Sequence, residues 1–251
     1  MTPPPPIPRL ARTLLRLFAV QGSYNYELML GVGMGVAEEP LLRGLPADGA
    51  QSPYRSAVAR GARFFNAHPY LVGLAVGAAA RAEHEGAPPD LVERLRAALC
   101  GPLGALGDRL VWAGGLPLLS GLALAAIALG GGWAAVAAFL VAYNAGHVAL
   151  RWWALRAGWA HGVRVATALH HPVLQRSVAL VGPAMACAVG AALPLTAQYL
   201  AAPFDEWARG ALAGAAALGF VALRALPGRV TGLRLGLALV AAALVAGSLW
   251  P

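Results

Sequence analysis

The chain has no lysine, few acids and almost no cysteine. Its 251 residues hold 19 arginines and 11 acids, so charged residues make up only 12%. A soluble domain is about one quarter charged. So little charge cannot cover the surface of a soluble globule of this length. Intrinsic disorder is excluded too, because it needs low hydrophobicity and high charge, and 59% of this chain is hydrophobic. The two cysteines, Cys100 and Cys187, lie far apart in apolar sequence. They exclude a disulfide framework and a metal spacing, and read as small core residues. His147, His161, His170 and His171 form no metal motif. There is no Ser/His/Asp order, no phosphate-binding Gly-rich loop and no zinc spacing, so neither cofactor nor metal is expected. The N-terminal segment lacks a long apolar run ending in a cleavage site, so no cleavable signal peptide is expected.

What is present is apolar sequence in long runs. The chain reads as an all-α polytopic integral membrane protein with about five spanning segments. Leu110–Leu129 carries no charge, and Trp133–Leu150 is a second uncharged run; residues 177–203, 210–223 and 235–251 follow. A span needs about 20 such residues. The net charge of +8 then reads as orientation rather than as nucleic-acid binding. The loop 151–176 holds four arginines and no acid, and the turn 224–234 holds three. The turn 204–209 holds Asp205, Glu206 and Arg209. Positive-inside places the first two in the cytoplasm and the third outside, with a cytoplasmic N-terminus and an external C-terminus. The arginine-only usage is a habit of a GC-rich genome or a preference for phosphate.

Ahead of the spans, residues 1–8 read as a disordered Pro-rich tail, 9–109 as a polar, motif-bearing region, and 110–251 as the transmembrane region of a single membrane domain. Residues 9–20 form an amphipathic helix with Arg9, Arg12 and Arg16 on one face and Leu10, Leu14 and Leu17 on the other. It either lies on the membrane or packs on its own protein. The alternating glycines of GVGMG (31–35) lack the strand–turn–helix context of a nucleotide fingerprint. A helix over 54–66 leads to Pro69. Residues 69–80 are apolar but too short to span, and suit a re-entrant or broken helix buried in protein. Residues 81–99 read as a solvated helix opened by Pro88, Pro89 and Asp90.

Polar groups in so apolar a chain are costly to bury unpaired, so function is sought among them. Gln21-Gly22-Ser23-Tyr24-Asn25-Tyr26-Glu27 sets amides and a carboxylate beside aromatic rings, which suits a sugar or a capped helix start. Asn66 and His68 stand where a helix must break before Pro69. Broken helices leave backbone groups that transporters use for substrates; a helix cap is the alternative. Gly101–Asp108 leads into the first long span, where Asp108 pairs with Arg109, caps the span or binds substrate. Gln21, Asn25, Glu27, Asn66, His68 and Asp108 are the candidate site residues.

These clusters, in this order, resemble the IID membrane component of the mannose/fructose/sorbose family of bacterial sugar phosphotransferase systems. QGSYNYE (21–27), FFNAHP (64–69), GPLGALGD (101–108) and YNAGHVALRWWALRAGWAHG (143–162) carry the likeness, over about residues 9–190. The resemblance implies a non-catalytic membrane subunit that pairs with a IIC chain and moves a hexose-type sugar inward. Phosphorylation then belongs to separate IIA and IIB proteins. Partners are thus IIC, IIA/IIB, the sugar and membrane lipid, but no nucleic acid. Tyr24 replaces a family Trp and Ala67 a family Thr. These departures leave open a transport-inactive scaffold or regulatory subunit. A membrane enzyme using Glu27, His68 and Asp108 is a third reading without spacing to support it.

Overall fold

The structure is a computed structural model that describes residues 6–50 and 52–225. The expected last span, 235–251, and Arg229 and Arg234 lie outside the described residues. Among the described residues the protein is all helical, with only isolated backbone bridges in place of strands. Two compact units result, Met1–Thr196 and Ala197–Pro251.

In the first unit, α1 (Leu10–Phe18) packs on α2 (Gly31–Leu42) and α7 (Gly132–His161). Thr13 and Leu17 are fully buried, and Leu10 and Leu14 rest on the core. The arginine face makes its own contacts, with Arg16 donating to Glu39 at 2.7 Å. α3 (Pro53–Gly61) starts as its sequence dictates: Ser52 Oγ accepts the Arg55 N–H, and Pro53 takes the first helical position. The helix expected over 54–66 ends at Gly61, because the chain must open out before Pro69. Residues of GVGMG serve packing, since a Cβ at Gly33 would meet the Val20 carbonyl oxygen at 2.0 Å.

α4 (Val72–His84) is the centre of the unit, with Val72–Ala80 wholly buried. An apolar helix with no polar face is what such a position requires. α7 crosses it closely: a Cβ at Gly77 would lie 2.6 Å from the Leu155 carbonyl oxygen, and one at Gly158 2.3 Å from that of Leu74. The solvated helix expected over 81–99 is instead two pieces, because Arg81–His84 finish α4 and α5 (Pro89–Gly107) begins at Pro89.

α5 continues without a break through a π-helical stretch, Asp108–Gly115, into α6 (Leu116–Ala128). Asp108 therefore caps no helix start, and the described ion pairs do not join it to Arg109. After Gly130–Gly132 come α7, a 3₁₀ stretch (Gly162–His170) and α8 (Pro172–Ala201). The runs Pro89–Ala128 and Gly132–Ala201 are long and apolar enough to cross a membrane. The loop expected over 151–176 is mostly helix: Arg151 and Arg156 sit on α7 and Arg176 on α8. Arg151 is buried against rings and a carbonyl rather than solvated, which lets the helix pass through it. The outer surfaces of α6 to α8 are exposed and apolar, Trp133 at 86% and Leu193 at 67% among them. Cys187 is exposed on α8 rather than in the core, whereas Cys100 is half-buried.

Buried ion pairs tie the polar third together. Arg96 donates to Glu38 at 3.1 Å and to the Gly61 carbonyl at 2.7 Å, with its guanidinium over the Phe65 ring. Arg60 grips Glu83 at 2.7 Å. Burial pushes the Glu38 carboxyl up to about 7 despite Arg96. Burial also acts to raise Glu39, but hydrogen bonds from Arg43, Tyr54 and Arg16 outweigh it and hold that carboxyl at about 2.

In the second unit, α9 (Glu206–Ala225) is capped by Asp205, whose Oδ1 accepts the Ala208 N–H at 2.7 Å. Arg209 donates to the carbonyls of Ala201, Ala202 and Phe204.

Candidate functional site

Three sequence-distant motifs meet in one cleft of about 910 Å³. The first arrives on a 3₁₀ turn, Val20–Ser23, directly after α1. Asn25 then folds the chain back: its Oδ1 accepts the N–H groups of Glu27 (3.0 Å) and Leu28 (2.7 Å), and its Nδ2 donates to the Ser23 carbonyl. Met29 follows with φ of 52°, an unusual angle for a residue with a side chain. The Leu30 N–H donates to the Phe65 carbonyl at 2.9 Å, and the Phe65 N–H to the Leu28 carbonyl at 3.3 Å. Those two backbone bonds fasten the first motif to the second.

The third motif closes the cleft from the α5 end. His68 is 1% exposed and fits only because residue 107 is glycine: a Cβ there would lie 2.2 Å from the His68 Cβ. Trp112 covers the other side of the imidazole, ring centres 4.6 Å apart. The His68 Nδ1 accepts the Tyr70 N–H at 3.2 Å. A neutral imidazole whose Nδ1 accepts must carry its proton on Nε2. Among the described residues, that Nε2 is buried and has no hydrogen-bond partner. Burial holds the imidazole down at about 4, with Asp108 pulling it up and Arg151 pushing it further down. His68 is thus a neutral hydrogen-bond donor at physiological pH.

Of the six candidate residues, Gln21, Asn66, His68 and Asp108 line the cleft. Asn25 and Glu27 do not: the amide of Asn25 is spent on the turn, and Glu27 is exposed beside it. Tyr24, Phe64 and Trp112 add aromatic surface, each about half exposed. Trp112 is not among the six candidates, although it stands four residues after Asp108, on nearly the same face of that helix. Ala67 also lines the cleft. Chemically, the cleft offers two amides and a carboxylate against aromatic faces, with the His68 Nε2–H covered behind its wall. The described residues contain no group of three His, Cys, Asp or Glu placed to hold a metal.

A model of the PTS system mannose/fructose/sorbose family IID component matches residues 8–201. The sorbose-specific EIID component of Klebsiella pneumoniae is 31% identical over 66% of this chain and 62% of its own. That of Lacticaseibacillus casei is 29% identical over 62% of this chain and 56% of its own. The mannose-specific component of Escherichia coli strain K12 is 26% identical over 64% and 58%. The chain therefore spans little more than half the length of these curated relatives. A cryo-electron microscopy structure of the mannose transporter ManYZ with microcin E492 shares the fold, with a TM-score of 0.57 and 23% identity over 72% of this chain and 68% of that one. A second solved structure, described simply as a membrane protein, aligns over 95% of both chains with a TM-score of 0.71 and 19% identity. The matched residues take in all three motifs of the cleft and both membrane-length helical runs, and the chain belongs to the IID components of the mannose/fructose/sorbose phosphotransferase family.

Proposed function

We propose that this chain is the IID-type membrane subunit of a sugar phosphotransferase permease, and that a hexose-type sugar binds in the cleft formed by its three motifs. The observation that carries the reading is their convergence: Gln21, Asn66, His68 and Asp108, up to 87 residues apart, face one space walled by Tyr24, Phe64 and Trp112. Sugars need this mixture, because their hydroxyls take paired donors and acceptors while their C–H faces lie on aromatic rings. In this reading Asn66 supplies both donor and acceptor, Asp108 accepts, and His68 donates through Nε2–H once the sugar draws aside the groups that cover that atom. The chain pairs with a IIC membrane subunit, and IIA and IIB proteins carry the phosphoryl group. This subunit then performs no chemistry of its own. Positive-inside keeps the N-terminus in the cytoplasm, with the 3₁₀ stretch 162–170 on the same side and the turn 202–205 outside. Multiple crossings by α6, α7, α8 and α9 are part of the proposal. At 1.5 Å per residue the 30-residue helices α7 and α8 each reach about 45 Å, beyond a hydrocarbon core of about 30 Å.

The test is to purify the chain with its IIC partner and measure binding of radiolabelled mannose, fructose and sorbose in turn. Asn66→Ala and Asp108→Ala should each weaken binding of the accepted sugar about tenfold or more, as expected for polar groups left unpaired in a closed site. Binding unaltered in both variants would remove the cleft as the sugar site. Failure to form a stable IIC complex would remove the permease reading itself.

One observation favours a second reading, a scaffold or regulatory subunit without transport. Ala67 lines the cleft where the family pattern resembles Thr, which deletes a hydroxyl from the proposed site. Sugar uptake by vesicles holding the complex, IIA, IIB and a phosphoryl donor separates the two. Uptake excludes the scaffold, and a stable complex without uptake favours it.

A further inference from the structure

Among the described residues, no carboxylate pairs with Arg151. It sits on α7, 3% exposed, in one of the runs long enough to cross a membrane. None of the described ion pairs includes it. A buried guanidinium in apolar surroundings is costly unless dipoles or ring faces replace its water. Here its Nε donates to the Leu17 carbonyl at 3.3 Å, and its Nη1 meets the His147 Nδ1 at 3.1 Å. Its Cζ lies only 4.0 Å from the centre of the Tyr70 ring. That is close for a cation–π contact, and desolvation strengthens it.

The Tyr70 ring is held on further sides. The His147 imidazole stacks on it at 5.1 Å, and the Tyr70 and Tyr143 hydroxyls are hydrogen-bonded at 2.9 Å. Tyr70 is the residue whose backbone N–H occupies the His68 Nδ1, and its ring stands edge-on to His68 at 5.0 Å. A contact path therefore leads from a cation on α7, through one clamped tyrosine, to the imidazole that lines the cleft. Each link is short, and the last selects which His68 nitrogen holds the proton.

We propose that Arg151 is a positioning residue for the cleft, clamping Tyr70 so that His68 is kept as an Nε2–H donor. This rests on the reading of the cleft as a sugar site. It also gives a charged residue a role at a position the surrounding packing could fill with an apolar one. The path places α7 in a position to alter the cleft, since any shift of that helix moves the guanidinium and the ring beneath it.

The experiment reads His68 directly and the sugar separately. The full chain, co-purified with its IIC partner and labelled with ¹⁵N-histidine, is reconstituted in lipid, and the His68 signals are assigned by their loss in His68→Gln. Wild type should show a single neutral form protonated at Nε2. Arg151→Met should give a mixture of both neutral forms and weaken sugar binding about five- to tenfold, the effect of losing one aligned hydrogen bond. Arg151→Lys should restore much of the Nε2–H form, because a cation again covers the ring. Tyr70→Phe keeps the ring and the backbone N–H, so His68 should be unchanged. Should Arg151→Met fail to fold, Tyr70→Leu removes the clamped ring and should mix the two forms. An unaltered His68 spectrum in Arg151→Met, or in Tyr70→Leu where that variant replaces it, overturns the proposal. A mixed spectrum with undiminished sugar binding upholds the positioning role and overturns the sugar reading of the cleft.

Discussion

Glu38 and His68 are buried polar residues whose protonation opposes one another across one pH range. The Glu38 carboxyl is raised from 4.5 to about 7, so between those values the folded chain holds a proton that the unfolded chain has lost. Its contribution to stability therefore falls as pH rises from about 4.5 to 7. The His68 imidazole is lowered from 6.5 to about 4, so its contribution falls in the other direction, as pH drops from 6.5 to 4. Glu38→Gln removes only the first effect. Relative to wild type it should gain stability on going from pH 4.5 to pH 7, on the order of 3 kcal/mol at the upper end. Thermal unfolding of the purified chain in detergent across that range checks this, and a constant difference between the two proteins would refute it. Arg96→Met strands the Glu38 carboxylate and should cost about 3–5 kcal/mol at pH 8. The loss should shrink at pH 5, where Glu38 is already protonated. Neither partner was legible as such in the sequence. Glu38 stands 58 residues from Arg96, and a carboxylate in an apolar helix looks the same before folding whether it ends in solvent or in the core.

The decisive element is α4, and its contact with α7 depends on having no side chain at three crossing points, Gly73, Gly77 and Gly158. Gly77→Val should destabilise the chain by about 1–3 kcal/mol, because its first added carbon would fall 2.6 Å from backbone atoms of α7. Gly101→Ala, where nothing lies within 4 Å, is the control and should be close to neutral or slightly stabilising. Thermal midpoints of the two variants in the same detergent give the comparison. The sequence marks this helix as a short apolar segment that must be buried in protein, since its length forbids a span and its composition forbids solvent. It carries no sign that α5 runs on through Asp108. Gly107 and Asp108 look like a loop locally, yet the π-helical turn keeps the backbone bonded while it swings Asp108 and Trp112 to the cleft.

For the whole molecule, the exposed apolar surfaces of α6 to α8 require a nonaqueous neighbour. The chain should stay in the membrane fraction through alkaline carbonate washing, and release would contradict an integral protein. Orientation is tested on a Cys100→Ser, Cys187→Ser background with one cysteine restored at a time. Thr167→Cys should react with a membrane-impermeant maleimide only after cells are opened. Ala202→Cys should react in intact cells. The reverse pattern would invert the proposed topology.

Composition alone decided that the protein belongs in a membrane, because scarce charge and long apolar runs leave no other solvent for its surface. Ordered motifs alone pointed to the family, because their residue types and sequence follow its pattern. Local signals placed Pro89 at a helix start and a break before Pro69, since proline limits the backbone wherever it stands. Only the tertiary structure decided which polar residues share a space. It turned Asn25 into a turn former and Glu27 outward, and brought Gln21, Asn66, His68 and Asp108 together. It also took Arg151 out of an expected loop and set it over Tyr70. The reason is common to all of these: where a side chain ends up depends on which distant backbone crosses beside it, and that is a property of packing rather than of neighbours in sequence.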